Sequence, residues 1–377
     1  MNRFFAIILL PLLTLLTACN AVVMNPSGDV AVQQRDLVVV STVLMLIIII
    51  PVMLLTVFFA WKYRQSNTDA PYDPDWDHST QLELIIWAAR LLVIICLGAV
   101  TWMATHLLDP YRPLGRISPG KAVSETVRPL QVEVVALDWK WLFIYPEYGI
   151  ASVNEMAGPV DRPIAFRLPS SAVLNSFYIP ALAGQIYTMP GMQTKLSAVI
   201  NHPGEYQGFS ANYSGAGFSG MRFAFHGMPD GAFEKWVADV RAKGTALDRM
   251  TYLQLEQPSE NVPVQHYANV DPELFSAVLN RCVERGKMCM SEMDEIDAKG
   301  GLGMAGIYNI RSLEYDKYTR RGAVFGPDPT FVVGICTTEE ALQSSMNAES
   351  LPPLNASPFV GAGLPRPAPA QLFGLEG

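Results

Sequence analysis

The sequence has little charge, no basic run and no cysteine pattern. Only 16% of its 377 residues are charged, and its 27 Lys and Arg are outnumbered by 35 Asp and Glu. The electrostatic footprint of a nucleic-acid-binding protein is therefore missing. The five cysteines form no C-x-x-C pair, and no group of Cys and His has zinc-ligand spacing. The sequence thus gives no signal of a structural metal site.

Apolar residues, in contrast, make up half of the chain and are concentrated near its start. Arg3 is followed by an apolar stretch over residues 4–16, and residues 16–19 read Leu-Thr-Ala-Cys. This order is typical of a bacterial lipoprotein signal. It predicts a signal peptide over residues 1–18, acylation of Cys19, and an external segment over 19–36. An ordinary secretory signal with a coincidental cysteine is the alternative.

Two segments are long and apolar enough to cross a bilayer. Residues 37–61 carry no charge, and residues 84–108 carry only Arg90. At about 1.5 Å per residue, either helix covers a hydrocarbon core of about 30 Å. Pro51 should kink the first span, and Trp87 and Trp102 lie where interfacial anchors are expected in the second.

Two independent signals fix the orientation of the spans. A lipidated Cys19 must lie outside the cytoplasm, and Lys62 and Arg64 after the first span belong inside by the positive-inside rule. The loop over residues 62–83 is therefore predicted to be cytoplasmic, and everything after Asp109 is predicted to be external.

Short runs of β-branched and aromatic residues, separated by Gly, Pro and Asn, dominate residues 109–229. The clearest runs are 131–136, 164–168, 176–179, 195–200, 205–210 and 221–226. This spacing predicts an all-β sandwich or barrel. Within it we expect only two imidazoles, His202 and His226, which are interpreted as surface or packing residues.

Residues 230–296 are predicted to form a small helical appendage. One helix spans residues 232–243 and ends at Gly244, and a second is capped by Asp271 and runs to Gly286. Cys282 and Cys289 flank that glycine and form either a disulfide or two buried free thiols. Residues 297–377 form a C-terminal extension, which is expected to be disordered beyond Leu351 because it is rich in Pro, Ala and Gly.

Two motifs in the β region resemble subunit II of the haem-copper respiratory oxidases, most closely the quinol-oxidising, bo-type members. Residues 138–147 read DWKWLFIYPE and are similar to its W-x-W-x-x-x-Y stretch. Residues 175–180 read NSFYIP, and with Met-Pro-Gly over 189–191 they are similar to its H-S-F-x-[IV]-P … P-G segment. The resemblance implies a two-helix transmembrane hairpin and a periplasmic, cupredoxin-like Greek-key β-sandwich, in the bacterial inner membrane.

In the members that oxidise cytochrome c, this subunit holds a binuclear copper centre. Its ligands are an early His and a late C-x-x-x-C-x-x-x-H-x-x-M run with a Glu between the cysteines. The corresponding positions here are Asn175, Ser210, Asn212, Ser214, Phe218 and Met221. Only the methionine matches, and soft copper sites need thiolate and imidazole ligands. We therefore expect no metal and no catalytic residue in this chain, and we interpret Trp139 and Trp141 as buried strand residues of the core.

Without a copper relay, the resemblance implies that ubiquinol gives electrons directly to subunit I, and that cytochrome c is not a partner. The haems and the copper of oxygen reduction are then expected in subunit I. This chain becomes a structural and assembly subunit, which also contacts further small membrane subunits and the lipid bilayer.

One chemical role is implied for Glu83, whose position matches a carboxylate at the mouth of a proton channel. The alternative is an interfacial Glu that caps its helix. Arg90 departs from the family pattern, and it either snorkels to the cytoplasmic surface or pairs with an acid of a neighbouring subunit.

A second reading of the whole chain is a membrane-anchored lipoprotein with a degenerate cupredoxin-like module for binding or copper delivery. Its support is a methionine-rich stretch with Met288, Met290 and Met293. Three thioethers more often serve packing. The two hypotheses differ in whether the two membrane spans pack against a haem-bearing partner subunit.

Overall fold

The computed structural model describes residues 22–71, 77–124, 126–284 and 286–298, together with the backbone of 310–315 and 330–335. The chain divides into two compact units, Met1–Phe275 and Ser276–Gly377. The predicted signal peptide, the acylation of Cys19 and the tail beyond Leu351 lie outside the described residues.

Two long apolar helices begin the first unit. Helix α1 (Asp29–Lys62) contains the predicted span 37–61 and continues through Pro51. Helix α2 (Thr80–Leu107) covers all but the last residue of the predicted span 84–108. Both helices have the length and composition to cross a membrane, and their apolar side chains are largely exposed. This is the pattern of helices that bury their surface in lipid or in partner helices rather than in their own core.

Helix α1 begins eight residues before the predicted span because its first turn is fixed to the β domain. The carboxylate of Asp29 is only 2% exposed and accepts hydrogen bonds of 2.8 and 3.2 Å from the guanidinium of Arg116. A Cβ on Gly28 would lie 2.6 Å from the carbonyl oxygens of Leu182 and Val199. Only glycine permits this close approach of the chain to the sandwich.

The strands of the first unit lie between residues 116 and 270. They are β1 (Arg116–Ser118), β2 (Lys121–Ala122), β3 (Leu130–Leu137), β4 (Lys140–Tyr145), β5 (Ile150–Val153), β6 (Glu155–Pro159), β7 (Ile164–Leu168), β8 (Asn175–Tyr178), β9 (Ile186–Thr188), β10 (Thr194–Ala198), β11 (Gly204–Ser210), β12 (Arg222–Met228), β13 (Thr245–Leu247) and β14 (Gln265–Val270). The six predicted runs match β3, β7, β8, β10, β11 and β12 within two residues at each end.

These strands form two large mixed sheets. The seven-stranded sheet has the order β10-β7-β3-β4-β5-β14-β13, and the five-stranded sheet has the order β6-β12-β11-β8-β9. Strands β1 and β2 form a separate pair. The large sheets share one hydrophobic core. The predicted β-sandwich after two apolar helices is confirmed.

Aromatic rings from both sheets fill the centre of this core. Trp141 and Phe143, two residues apart on β4, face the same side. The ring of Trp141 lies 5.3 Å from that of Phe177 on β8, and Phe143 lies 4.9 Å from Phe223 on β12. The interpretation of Trp141 as a buried strand residue is confirmed. Trp139 is different, because it lies half-buried in the turn between β3 and β4 with a φ of +65°.

A glycine on β11 makes room for this aromatic cluster. Gly208 pairs across the strands with Phe223, and a Cβ on Gly208 would lie 2.1 Å from that ring. We expect Gly208→Ala to destabilise the sandwich by about 3 kcal/mol or more, since overpacking a rigid core forces rings off their rotamers. Gly231→Ala is the matched control, because nothing lies within 4 Å of its Cβ position. Thermal unfolding of the purified chain measures both, and equal midpoints for the two variants would contradict the steric argument.

Four shorter helices follow the sandwich strands, which confirms the predicted C-terminal helices. They are α3 (Asp230–Lys243), α4 (Arg249–Leu255), α5 (Leu274–Leu279) and α6 (Met290–Ala298). Helix α3 ends before Gly244 as predicted. The helix predicted from Asp271 to Gly286 is shorter than expected. It ends at Leu279, because Arg281 adopts a φ of +56°, a left-handed conformation that terminates a helix.

Two strands between these helices were not predicted. Strand β14 pairs antiparallel with β5, and β13 pairs parallel with β14, so both extend the seven-stranded sheet. The residues expected to form a helical appendage therefore also complete the sandwich. In the second unit, β15 (Ile310–Tyr315) and β16 (Thr330–Ile335) form an antiparallel pair.

Candidate functional site

The six positions that correspond to copper ligands meet at one corner of the sandwich. Asn175 begins β8, Ser210 ends β11, and Met221 directly precedes β12. Asn212, Ser214 and Phe218 lie on the connection from β11 to β12, which includes a 3-10 helix over Ala216–Gly220. The structure thus brings together residues that are up to 46 positions apart in the sequence.

Asn175 and Ser210 form the centre of this corner. Both are almost fully buried, at 1% and 3% exposure. The Ser210 hydroxyl lies 3.3 Å from Oδ1 of Asn175 and 3.2 Å from the carbonyl oxygen of Asn212, and it can donate to either. The Nδ2 of Asn175 donates to the carbonyl oxygen of Val173 at 3.2 Å, so both ends of this buried amide have hydrogen-bond partners.

Met221 closes the corner from the side of β12. Its side chain is fully buried. Its carbonyl oxygen accepts from the backbone N–H of Ser210 at 3.2 Å, and its own N–H donates to the carbonyl of Phe218 at 3.1 Å. The ring of Phe218 packs on that of Tyr213, with centroids 5.7 Å apart. Met221 therefore serves as a packing residue here.

Trp139 holds the connecting loop in place. Its Nε1 donates to the carbonyl oxygen of Ser214 at 2.9 Å. A Cβ on Gly217 would lie 2.5 Å from the indole ring, so the loop passes directly over the ring face. The half-buried Trp139 thus has a structural partner, the same loop that carries four of the six positions.

The donor atoms at this corner are neutral and mostly hard. They belong to two amides, two hydroxyls and one thioether, and the phenyl ring of Phe218 supplies none, whereas soft copper sites use thiolates and imidazoles. Within the described ranges no group of three or more His, Cys, Asp or Glu is arranged to hold a metal ion. The residues at this corner do not fit a copper centre.

Glu83 occupies the first turn of α2. Its carboxylate is exposed, and Oε1 lies 3.4 Å from Nδ1 of His78. Nε2 of the same imidazole lies 3.0 Å from the hydroxyl of Thr80. Glu83 and His78 therefore lie side by side at the solvent-exposed start of α2. The sequence argument identified Glu83 but not His78.

Arg90 lies seven residues beyond Glu83 on the same helix. Its guanidinium lies over the ring of Trp87, 5.9 Å from the centroid. A cation–π contact of this kind reduces the cost of a charge within an apolar helix. Neither predicted alternative for Arg90 included this contact with its neighbour.

A family model described as the COX Aromatic Rich Motif matches residues 241–286. The cytochrome bo(3) ubiquinol oxidase subunit 2 of Pseudomonas putida is 48% identical over 279 residues, which cover 74% of this chain and 86% of the relative. The chain belongs to the cytochrome bo(3) ubiquinol oxidase subunit 2 family. The ubiquinol oxidase subunit 2 of Acetobacter aceti is also 48% identical, over 70% of this chain and 84% of the relative.

One more distant relative is also a quinol oxidase subunit 2. The quinol oxidase subunit 2 of Bacillus cereus is 34% identical over 70% of this chain and 90% of the relative. Among solved structures, the periplasmic domain of subunit II of cytochrome oxidase (CoxB) of Bradyrhizobium japonicum matches at 24% identity, with a TM-score of 0.28 and coverage of 29% of this chain and 91% of that one. Membership of the subunit 2 family, together with the two apolar helices, makes the chain an inner-membrane protein with a periplasmic domain.

The sequence argument missed a cluster in which two histidines share one carboxylate. Oε2 of Glu155 lies 2.6 Å from Nε2 of His266, and Oε1 lies 3.3 Å from Nε2 of His226. The expectation of only two imidazoles in the sandwich was wrong, because His266 enters it on β14. The contact with His266 is a hydrogen bond and that with His226 is an ion-pair contact, and together they link β6 to β14 and β12.

We expect Glu155→Gln to destabilise this part of the sandwich. Oε2 of the carboxylate is hydrogen-bonded to His266 and Oε1 lies 3.3 Å from Nε2 of His226, whereas a carboxamide keeps the shape but has no charge and only one acceptor oxygen. The loss should be about 1–3 kcal/mol, which lowers the unfolding midpoint by several degrees. Glu205→Gln is the control, since Glu205 pairs with His226 across the strands but is exposed. A midpoint for Glu155→Gln equal to that of the control would contradict the structural role.

Cys282 and Cys289, for which the sequence left a disulfide and two free thiols open, form a disulfide with Cα atoms 4.9 Å apart. Among the described cysteines, Cys96 is free. Cys336 lies outside the described residues.

Proposed function

We propose that this chain is subunit II of a proton-pumping ubiquinol oxidase, which oxidises ubiquinol to ubiquinone and reduces oxygen to water. Its role is structural and supports assembly of the complex. The observation that carries the proposal is the corner of Asn175, Ser210 and Met221, which is buried, neutral and internally hydrogen-bonded. The names of the relatives from Pseudomonas putida, Acetobacter aceti and Bacillus cereus, which are quinol or ubiquinol oxidase subunits, support the same conclusion.

A subunit II without copper ligands has no relay for electrons from cytochrome c. In the proposed complex, ubiquinol therefore donates directly to subunit I, which carries the haems and the copper of oxygen reduction. The two helices α1 and α2, with their exposed apolar side chains, offer the surface that subunit I and further small membrane subunits would cover. Cytochrome c is not a partner in this scheme.

The proposed orientation places the loop over residues 62–83 in the cytoplasm. Lys62 and Arg64 support this side by the positive-inside rule, and the four Asp of the loop carry little weight in it. Acylation of Cys19 on the opposite side of the membrane agrees with this orientation and remains part of the proposal.

On the cytoplasmic side, Glu83 is proposed to take up protons for subunit I. The carboxylate is exposed, and His78 lies beside it within the same surface segment. Together they provide two groups that can bind a proton from water and pass it on. The role is that of a collector at a channel mouth, and no bond to oxygen or to quinol is made by this chain.

Purification of the tagged chain in mild detergent tests the proposal. We expect haem to co-purify and to give a reduced-minus-oxidised difference spectrum, because α1 and α2 pack on a haem-bearing subunit. If the chain is isolated alone and free of haem under conditions that keep respiratory complexes intact, the reading as a membrane-anchored lipoprotein module replaces the proposal.

A further inference from the structure

A cavity of about 320 Å³ lies where the two apolar helices meet the sandwich. One wall is the first two turns of α1, and the other is the end of α2 with the segment that leads to β1. Asp29 and Gln34 on α1 lie one to two turns before the predicted hydrocarbon span, and Leu107 is the last residue of α2. The cavity is therefore at the depth of the lipid headgroups.

The lining of the cavity is amphipathic. Val30, Leu107 and Leu196 give it an apolar wall, in which Val30 and Leu196 are buried and Leu107 is exposed at the end of α2. Its charged residues are Asp29, Asp109, Arg112 and Arg116, so the formal charges of the lining cancel. An anionic headgroup would meet no excess of positive charge here, whereas a zwitterionic headgroup would find a partner for each of its charges.

The two arginines of the lining differ in whether their hydrogen-bond donors are available to a ligand. The guanidinium of Arg116 is engaged by the buried carboxylate of Asp29, to which Gln33 also donates at 2.7 Å. Arg112 is exposed, and its Nη1 lies 3.3 Å from the carbonyl oxygen of His106. Its remaining donors can bind phosphate oxygens, for which the planar guanidinium is well suited.

The acceptors of the lining select the cationic end of the headgroup. The carboxylate of Asp109 and the amide oxygens of Gln34 and Gln185 can each accept a hydrogen bond from an ammonium group. Oδ1 of Asp109 also accepts from the N–H of Tyr111, and Oε1 of Gln185 also accepts from the Ser176 hydroxyl, which leaves each group a further lone pair. Of the residues that line the cavity none is aromatic, and aromatic faces are what recognise a quaternary ammonium. A primary ammonium, which has three N–H donors, fits this lining.

We propose that the cavity binds the headgroup of a phosphatidylethanolamine lipid. Arg112 binds the phosphate, Asp109 and the glutamine amides accept from the ammonium, and the acyl chains follow the apolar faces of α1 and α2. The lipid thus contacts both the external ends of helices α1 and α2 and the sandwich, close to the ion pair between Asp29 and Arg116.

Lipid retention by the purified complex tests the proposal. Wild-type protein is exchanged against an equal mixture of phosphatidylethanolamine, phosphatidylglycerol and phosphatidylcholine, washed in detergent, and the retained lipids are quantified by mass spectrometry. Arg112→Glu removes the phosphate ligand, and Gly115→Phe fills the cavity without a change of charge, since nothing lies within 4 Å of the Gly115 Cβ position. Arg222→Glu is the matched control, because Arg222 is an exposed strand residue that does not line the cavity.

Wild type and Arg222→Glu should retain one more phosphatidylethanolamine per chain than the two cavity variants. The apparent affinity of Arg112→Glu for this lipid should fall at least about tenfold, the effect of losing a charge-assisted hydrogen bond. Equal retention by all four proteins would overturn the proposal. So would a preference for phosphatidylglycerol or phosphatidylcholine in the wild type. Oxygen uptake by the same preparations shows that each variant has assembled.

Discussion

Five substitutions at one corner of the sandwich should give this chain a copper centre. The set is Asn175→His, Ser210→Cys, Asn212→Glu, Ser214→Cys and Phe218→His, with Met221 retained. The backbone already brings these positions together, since Asn175 and Ser210 touch and Ser210 is hydrogen-bonded to Met221 through the main chain. Two thiolates, two imidazoles and a thioether are the soft donors that copper prefers.

Copper content and visible absorption of the purified variant measure the effect. We expect a pair of copper ions per chain and an absorption band from thiolate-to-copper charge transfer, neither of which the unmodified chain should give. A control carries the same substitutions but keeps Ser210 and Ser214, and it should bind no such centre. A fully substituted variant that assembles, supports quinol oxidation and still takes up no copper would contradict the proposed correspondence of the six positions.

Glu83→Gln should slow oxygen reduction by the complex. The carboxamide is similar in size and leaves the start of α2 unchanged, but it cannot bind and release a proton near neutral pH. We expect the ubiquinol-driven rate to fall about three- to tenfold. This is less than the 10²–10⁴ of a positioned catalytic acid or base, because water and His78 still deliver protons. Glu83→Asp, which keeps the carboxylate, should restore most of the rate.

Oxygen uptake and proton release in reconstituted vesicles separate this role from a structural one. A Glu83 that merely caps its helix would be replaced by Gln at a cost in stability of a few tenths of a kcal/mol, with an unchanged rate per haem. His78→Ala in the Glu83→Gln background should lower the rate further. If Glu83→Gln has the wild-type rate per haem in vesicles, the channel-mouth role is wrong.

Local patterns were sufficient to predict most of the architecture. The uncharged run over 37–61 and the alternating runs of the β region depend on nearest neighbours along the chain, and the structure confirms them. Strand β13 has only three residues and lies between two helices, and β14 pairs with β5 more than 100 residues earlier in the chain. No local signal marks such a pairing, which is why these residues were expected to be helical or irregular.

The contacts at the candidate sites likewise include some between residues close in the sequence and others between residues far apart. His78 lies five residues from Glu83, and their contact could have been predicted from the turn before α2. Glu155 and His266 are 111 residues apart, and Asp29 and Arg116 are 87 apart. Such pairs depend on the finished sandwich and on the docking of α1 against it. The interpretation of the six copper-ligand positions depends on residue types alone, which the sequence states directly, and it stays a prediction.

The most direct test of the account compares two electron donors on one preparation. Oxygen uptake by the purified complex is measured with ubiquinol and, separately, with reduced cytochrome c. The account predicts uptake with ubiquinol and none with cytochrome c, because the corner at Asn175, Ser210 and Met221 has no ligands for an electron relay. Uptake driven by cytochrome c would contradict it, since electrons would then have to enter through this subunit.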